Sequence, residues 1–115
     1  MMYIVIMNDK KLSSDLLRGH TDTIILRLLL EGDKYGYEIT KYVYDHSGQL
    51  YDLKEATMYS SLKRLENDSH IVSYWGDETQ GGRRKYYRIT TSGRALHKSN
   101  RMNWDFSKSI LDQLL

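Results

Sequence analysis

Three consecutive cations, Arg83-Arg84-Lys85, follow the glycine pair Gly81-Gly82 and lead into Tyr86-Tyr87-Arg88-Ile89-Thr90. Ahead of the glycines runs Ser73-Tyr74-Trp75-Gly76-Asp77-Glu78-Thr79-Gln80. Aromatic and β-branched residues on both sides of a polar connection favour a pleated surface, and a glycine pair lets the connection adopt positive φ. The pattern predicts a β-hairpin from Ser73 to Thr90 with a basic tip. The chemistry open to such a tip is neutralisation of phosphates. Glycine removes side-chain bulk, so backbone amides and cations approach an anion together, and each phosphate neutralised releases condensed counterions. A run of cations is often no more than a solvated turn, so the elements around it decide its meaning.

The segment before the hairpin reads as a helix over about Lys54 to Asn67, because Met58, Leu62 and Leu65 recur at spacings of four and three. Opposite that stripe lie Glu55, Thr57, Ser60, Ser61, Lys63 and Arg64, mostly short polar or basic side chains able to reach phosphates and base edges. On an isolated helix such a face commonly just meets solvent. Two preceding helices and a basic hairpin change the weighting, since the second helix of a helix-turn-helix enters the major groove N-terminus first.

Four helices and one hairpin account for the chain. Ser13 or Ser14 can cap a first helix reaching about Glu31, stopped by Gly32-Asp33 and weakened midway by Gly19. Its second half, Ile24-Ile25-Leu26-Arg27-Leu28-Leu29-Leu30, is apolar nearly all round and belongs at the centre of the core. Tyr35 to Ser47 forms the second helix, with Ile39, Tyr42 and Val43 on one face and Gly48 ending it; Leu50 to Leu53 is a connector. Tyr87 and Ile89 of the hairpin point to the core. Thr91 caps a last helix that runs to the C-terminus. Leu96, Asn103, Trp104, Phe106, Ile110, Leu111, Leu114 and Leu115 share one broad, mostly apolar face of it. That face exceeds what so small a core can cover, so it is expected to pair with a second copy in a two-fold dimer that offers two recognition helices to adjacent major grooves. The fold class is α+β and mostly helical. Residues 1–12 are expected as a flexible extension, 13–90 as a winged helix-turn-helix DNA-binding domain, and 91–115 as a dimerisation helix.

Composition narrows the function. With 115 residues the chain is one domain, and a formal charge of +2 means that nucleic-acid affinity must come from where cations sit. No cysteine is present, which excludes disulfides and thiolate metal sites. Met1 to Met7 lacks the basic start and cleavage site of a signal peptide, no stretch is long enough to span a membrane, and a cytoplasmic location is expected. The four histidines, His20, His46, His70 and His97, lack metal-ligand spacing, and no phosphate loop, nucleophile elbow or zinc-protease pattern occurs. Asp45-His46-Ser47 holds triad residue types, but neighbours on a helix point apart and cannot form a relay. Neither an enzyme nor a cofactor is expected.

The combined motifs resemble the PadR family of transcriptional regulators. They are Leu16-Leu17-Arg18-Gly19, Tyr35-Gly36-Tyr37-Glu38-Ile39, Ala56-Thr57-Met58-Tyr59-Ser60-Ser61-Leu62-Lys63-Arg64-Leu65-Glu66, Gly81-Gly82-Arg83-Arg84-Lys85-Tyr86-Tyr87, and Ile89-Thr90 with Gly93. A single C-terminal helix is similar to the short-tailed subfamily, and Ser73 to Glu78 with the tryptophan of the last helix resemble its lactococcal, multidrug-responsive branch. The resemblance implies a repressor that binds a double-stranded operator as a homodimer, its last helix packed on the partner's first. It further implies that Tyr35, Thr57, Tyr59, Ser60, Lys63, Arg83, Arg84 and Lys85 contact DNA. Trp104 would stack a planar aromatic drug at the dimer interface, with Leu16, His20, Thr23, Asn103 and Asp105 around it. Two alternatives stand beside this: a PadR-like repressor answering another signal, such as a phenolic metabolite, and a winged-helix module for protein contacts only. Three positions depart from the family pattern. Lys54 is a poor cap, which leaves Asp52 to serve; Ser69-His70 replaces a customary glycine, which implies a differently built turn; and Lys108 sets a cation one turn beyond Trp104, to be offset by Asp105 or Asp112.

Overall fold

A computed structural model describes residues 12–76 and 82–115. The elements run α1 (Ser14–Leu17), α2 (Thr21–Leu30), β1 (Lys34–Tyr35), α3 (Gly36–His46), α4 (Glu55–Asn67), β2 (Ile71–Trp75), β3 (Lys85–Ile89) and α5 (Thr91–Leu114). The expected N-terminal extension up to Lys11 and the turn at Gly81 lie outside the described residues.

α2 is the centre of the core, as its all-round apolar sequence predicts. Ile25, Leu26, Leu28 and Leu29 are buried against Ile39 and Val43 of α3, Met58, Leu62 and Leu65 of α4, the connector residue Leu53, and Ile71, Tyr87 and Ile89 of the sheet. The helical stripe of α4 and the inward assignment of Tyr87 and Ile89 both hold. The helix expected from Ser13 to Glu31 is instead two helices. Gly19 adopts φ +92°, a conformation no helix contains, so α1 ends after one turn and α2 restarts at Thr21. Ser13 does cap α1, its hydroxyl accepting from the Asp15 amide at 3.2 Å.

The hairpin gains a third strand. β1, only two residues long, pairs antiparallel with β3 through Lys34–Tyr87 and Tyr35–Tyr86, giving the order β1-β3-β2. β2 begins at Ile71, two residues ahead of the expected start, and pairs with β3 from Ile71–Ile89 to Trp75–Lys85. Ile71, Ser73, Tyr87 and Ile89 therefore face the helices, while Val72, Tyr74, Tyr86 and Arg88 face outward with Tyr35. Ahead of β1, the Asp33 carboxylate accepts from Arg88 Nε at 3.0 Å and from the Tyr74 hydroxyl.

Two expected turn details change. α4 ends with His70 N–H bonded to the Leu65 carbonyl and Ser69 N–H to that of Glu66, the pattern that glycine usually completes. Ser69 takes the left-handed position itself, at φ +65°. The turn is thus not rebuilt. The cost of a side chain there, about 1 kcal/mol, is offset where the Ser69 carbonyl accepts from Thr90 Oγ1 at 2.8 Å and Ser92 Oγ at 3.0 Å. The N-cap of α5 is Thr90 rather than Thr91: its backbone is extended and its Oγ1 accepts from Gly93 N at 3.1 Å. Lys54 does occupy the N-cap of α4, without a side-chain cap bond, and its ammonium lies 2.9 Å from Asp52.

Gly93 sits on this junction. A Cβ there would overlap the His70 carbonyl oxygen and press on Ile89. Alanine ordinarily gains roughly 1 kcal/mol over glycine within a helix. Here Gly93→Ala is expected instead to destabilise the fold by about 1–3 kcal/mol, the cost of forcing volume into a packed site. Thermal unfolding followed by circular dichroism measures this; a midpoint equal to or above the parent's would contradict the packing account.

Candidate nucleic-acid interface

α4 presents Thr57, Ser60 and Lys63 to solvent on the face opposite its buried stripe. Two other residues of the expected polar face do not belong there. Ser61 is buried, at 2% exposure. Arg64 is turned back onto α2, its guanidinium bonded in two places to Asp22 at 2.6 and 3.1 Å and to Ser61 at 3.1 Å. Such a fork-to-carboxylate pair ties α4 to α2 and leaves the exposed threonine, serine and lysine as the residues free to face a ligand.

Tyr59 is half exposed, and its hydroxyl lies over the backbone of Gly36: any Cβ on Gly36 would overlap that oxygen. Gly36 opens α3, and Tyr35 precedes it as the cap residue, its amide bonded to the Glu38 carboxylate at 3.1 Å. From the other side Arg84 places its guanidinium 4.7 Å from the centre of the Tyr35 ring. One dipeptide thus receives Tyr59 from α4 and Arg84 from the wing.

The neighbouring cations are arranged in the same way. Arg83 lies 5.3 Å over Trp75, and Lys85 lies 5.9 Å from the Tyr87 ring. Contacts of this kind at exposed sites are worth about 0.5–1 kcal/mol each, enough to orient a long side chain but not to withhold it from a phosphate. Arg83, Arg84 and Lys85 are all exposed. Trp75, 56% exposed, was not among the expected site residues; its place beside Arg83 follows from β2 register, which sequence spacing alone does not fix.

A second group gathers at the far side of α2. Trp104 meets His20 edge-on, with ring centres 4.7 Å apart, and one turn earlier Asn100 donates to Thr23 Oγ1 at 3.0 Å. His20, Thr23 and Trp104 are therefore neighbours. Asn103 and Asp105 are exposed, and Leu16 is three-quarters exposed. Asp105 is paired with Arg101 at 3.3 Å, so its charge is already engaged before Lys108 is considered. On either side of Trp104, α5 carries Met102, Phe106, Ile110, Leu111 and Leu114 in the open. Between α2, α3 and α5 runs a groove of about 560 Å³, lined by Leu17, Ile24, Tyr42 and Val43 with Arg27 and Arg101 at its border. His97 also lines it; burial, with the charges of Arg27 and Arg101, lowers its pKa. Among the described residues no group of histidine, aspartate or glutamate could hold a metal, and no helix is long and apolar enough to cross a membrane.

Comparison with known proteins identifies the family. A transcriptional regulator from Clostridium thermocellum has a structure similar to this chain, with a TM-score of 0.84 and 46% identity over 90% of this chain and 98% of that one. The negative transcriptional regulator PadR of Bacillus subtilis is 33% identical over 70 residues, which are 61% of this chain and 38% of that protein. The crystal structure of Bacillus subtilis PadR in complex with operator DNA aligns with a TM-score of 0.61 and 29% identity, over 68% of this chain and 44% of that one. The family model of the PadR-like transcriptional regulators matches residues 25–99. The chain belongs to that family, whose members are transcriptional regulators and not enzymes.

Proposed function

We propose that the chain is a dimeric, operator-binding repressor in which residues 13–90 hold the DNA and residues 91–115 hold the partner. The observation that carries this reading is the convergence on Tyr35–Gly36, where Tyr59 of α4 and Arg84 of the wing meet. It gives the exposed face of α4 and the wing cations one common support, as is needed for a helix in a major groove and a ribbon on the adjoining backbone. Thr57, Tyr59, Ser60 and Lys63 read or brace the groove, while Tyr35, Arg83, Arg84 and Lys85 grip phosphates. The operator complex of the Bacillus subtilis relative supports the choice of double-stranded DNA as partner.

Replacing Arg83 and Arg84 together by alanine is expected to weaken retardation of the gene's own upstream DNA. The plot of log affinity against log salt should become shallower by roughly two, one for each phosphate that is no longer neutralised. Unchanged retardation would instead favour a module for protein contacts.

The dimer reading rests on α5. Met102, Phe106, Ile110 and Leu114 recur every four residues and are exposed, with Phe106 at 68% and Leu114 at 74%. A stripe of this kind is covered in solution by a copy of itself or of another chain. Phe106→Glu combined with Ile110→Glu should convert a sedimenting dimer to a monomer; a parent that is monomeric at micromolar concentration would defeat the reading.

Trp104, edge-on to His20, is proposed to stack a planar aromatic ligand, with Thr23, Asn103, Asp105 and Leu16 bordering it. Binding then relieves repression only as far as the ligand favours the geometry that does not fit DNA. Titration with planar aromatic dyes is expected to quench tryptophan emission in Trp75→Phe and to leave it unquenched in Trp104→Phe. Quenching that needs Trp75 and survives loss of Trp104 would refute the stacking role. A second reading, an aromatic acid as signal, is favoured by the mostly apolar groove that Arg27 and Arg101 help to line; an acid bound there would exchange with the Glu31 and Asp105 carboxylates that pair with those arginines. Retention of acid binding in the Trp104→Phe protein would distinguish it.

A further inference from the structure

The outer face of the sheet carries a cluster that the roles above do not use. Asp33 stands just before β1, an edge strand that pairs over only two residues and is separated from β2 by β3. A single carboxylate oxygen of Asp33 accepts from Arg88 on β3, through Nε and Nη2 both at 3.0 Å, and from the Tyr74 hydroxyl on β2. The same side chain thus ties the chain entering α3 to both arms of the wing. The Arg88 guanidinium also covers the Tyr74 ring at 5.0 Å. Tyr74 stacks on Tyr86 at 5.7 Å, and Tyr86 meets Tyr35 edge-on at 5.4 Å.

We propose that Asp33 is a positioning residue for the wing: by gathering Tyr74 and Arg88 it fixes the angle at which Arg83, Arg84 and Lys85 reach DNA, and so sets operator affinity without touching the operator. The inference rests on the reading that the wing grips phosphates. Its physical basis is that a two-stranded ribbon has little stiffness of its own. Short pairing with β1 adds little, so a side-chain tie that reaches both strands, to Arg88 and to Tyr74 one pair short of the turn-end pair, is what resists rocking. Burial pushes the Asp33 carboxyl up, yet the hydrogen bonds from Tyr74 and Arg88 outweigh it and hold the group below the ordinary carboxylate range. It is therefore ionised at neutral pH and accepts from both partners.

A competing account treats Arg88, which is 59% exposed, as a phosphate contact that Asp33 merely masks. The two accounts give opposite signs. Removing a negative charge near DNA ordinarily tightens binding, so under masking Asp33→Asn would bind more tightly. Under positioning it binds more weakly although the protein has become more positive.

The test uses the full chain and a labelled duplex of the gene's own upstream region, with fluorescence anisotropy over a salt series. Asp33→Asn is expected to weaken binding about ten-fold, the scale of a missing hydrogen bond to a charged group, with the salt slope unchanged. Tyr74→Phe, which changes no charge, should weaken binding in the same direction, and the double variant should be little weaker than Asp33→Asn alone. Asp33→Glu should recover part of the loss. In a Trp104→Phe background, acrylamide should quench Trp75 more readily once Asp33 is asparagine. Binding as tight as the parent's or tighter, additive losses, or weakened binding with Trp75 quenching unchanged would each overturn the proposal. If Asp33→Asn lowers the unfolding midpoint below the assay temperature, Tyr74→Phe alone decides. The Arg83→Ala, Arg84→Ala protein separates the premises. If it binds normally, the wing does not grip phosphates; if it binds weakly while Asp33→Asn does not, only the positioning role fails.

Discussion

The rest of the structure depends on a close backbone approach between Ser69–His70 and Thr90–Gly93. His70 accepts from the Thr90 amide at 3.1 Å, and its carbonyl oxygen fills the space a side chain on Gly93 would need. Ser69 accepts two hydroxyls from the same turn. At this point the end of α4, the start of β2, the end of β3 and the start of α5 meet. The relative placement of α4, the wing and the terminal helix is therefore fixed by hydrogen bonds and van der Waals contact at this junction together with the core that α4, β2 and β3 share.

At the other end of the wing, aromatic rings lie against the cations. Arg83, Arg84 and Lys85 rest on Trp75, Tyr35 and Tyr87. A ring orients a long side chain, whereas a carboxylate partner also compensates its charge. Arg64 illustrates the opposite arrangement, since its bond to Asp22 commits the charge to joining α4 to α2.

How much of this was legible in the sequence follows the range of the interactions. The stripe Met58, Leu62, Leu65 and the inward pair Tyr87 and Ile89 are local periodicities, and they read correctly. Thr90 and Thr91 are equal as caps by type; the choice between them is made by the Ser69 carbonyl, 21 residues away. Arg64 looks like any exposed cation until Asp22, 42 residues distant, is placed beside it. β1 is too short to show alternation, and it becomes a strand only because β3 returns beside it. Gly19 signalled weakness in a helix, while its positive φ makes a full break. Of the residues that the resemblance sets around Trp104, His20 is in contact with it, and that contact is a product of tertiary packing.

The coupling of α5 to β3 has a mechanical consequence. One residue, Thr90, separates them, and both its amide and its hydroxyl are tied down. α5 is 24 residues long, a lever of about 36 Å with no slack at its short end, and it rocks only together with α2, to which Asn100 and Trp104 hold it. A tilt of only about four degrees displaces the free end of such a lever by roughly 2–3 Å. In the reverse direction, a contact made near Leu114 is geared down, delivering to the wing a small rotation with a large mechanical advantage. A partner or ligand gripping the far end of α5 would need only weak forces to turn the grip on DNA, and the stiffness of the Thr90 joint would set how faithfully that rotation arrives.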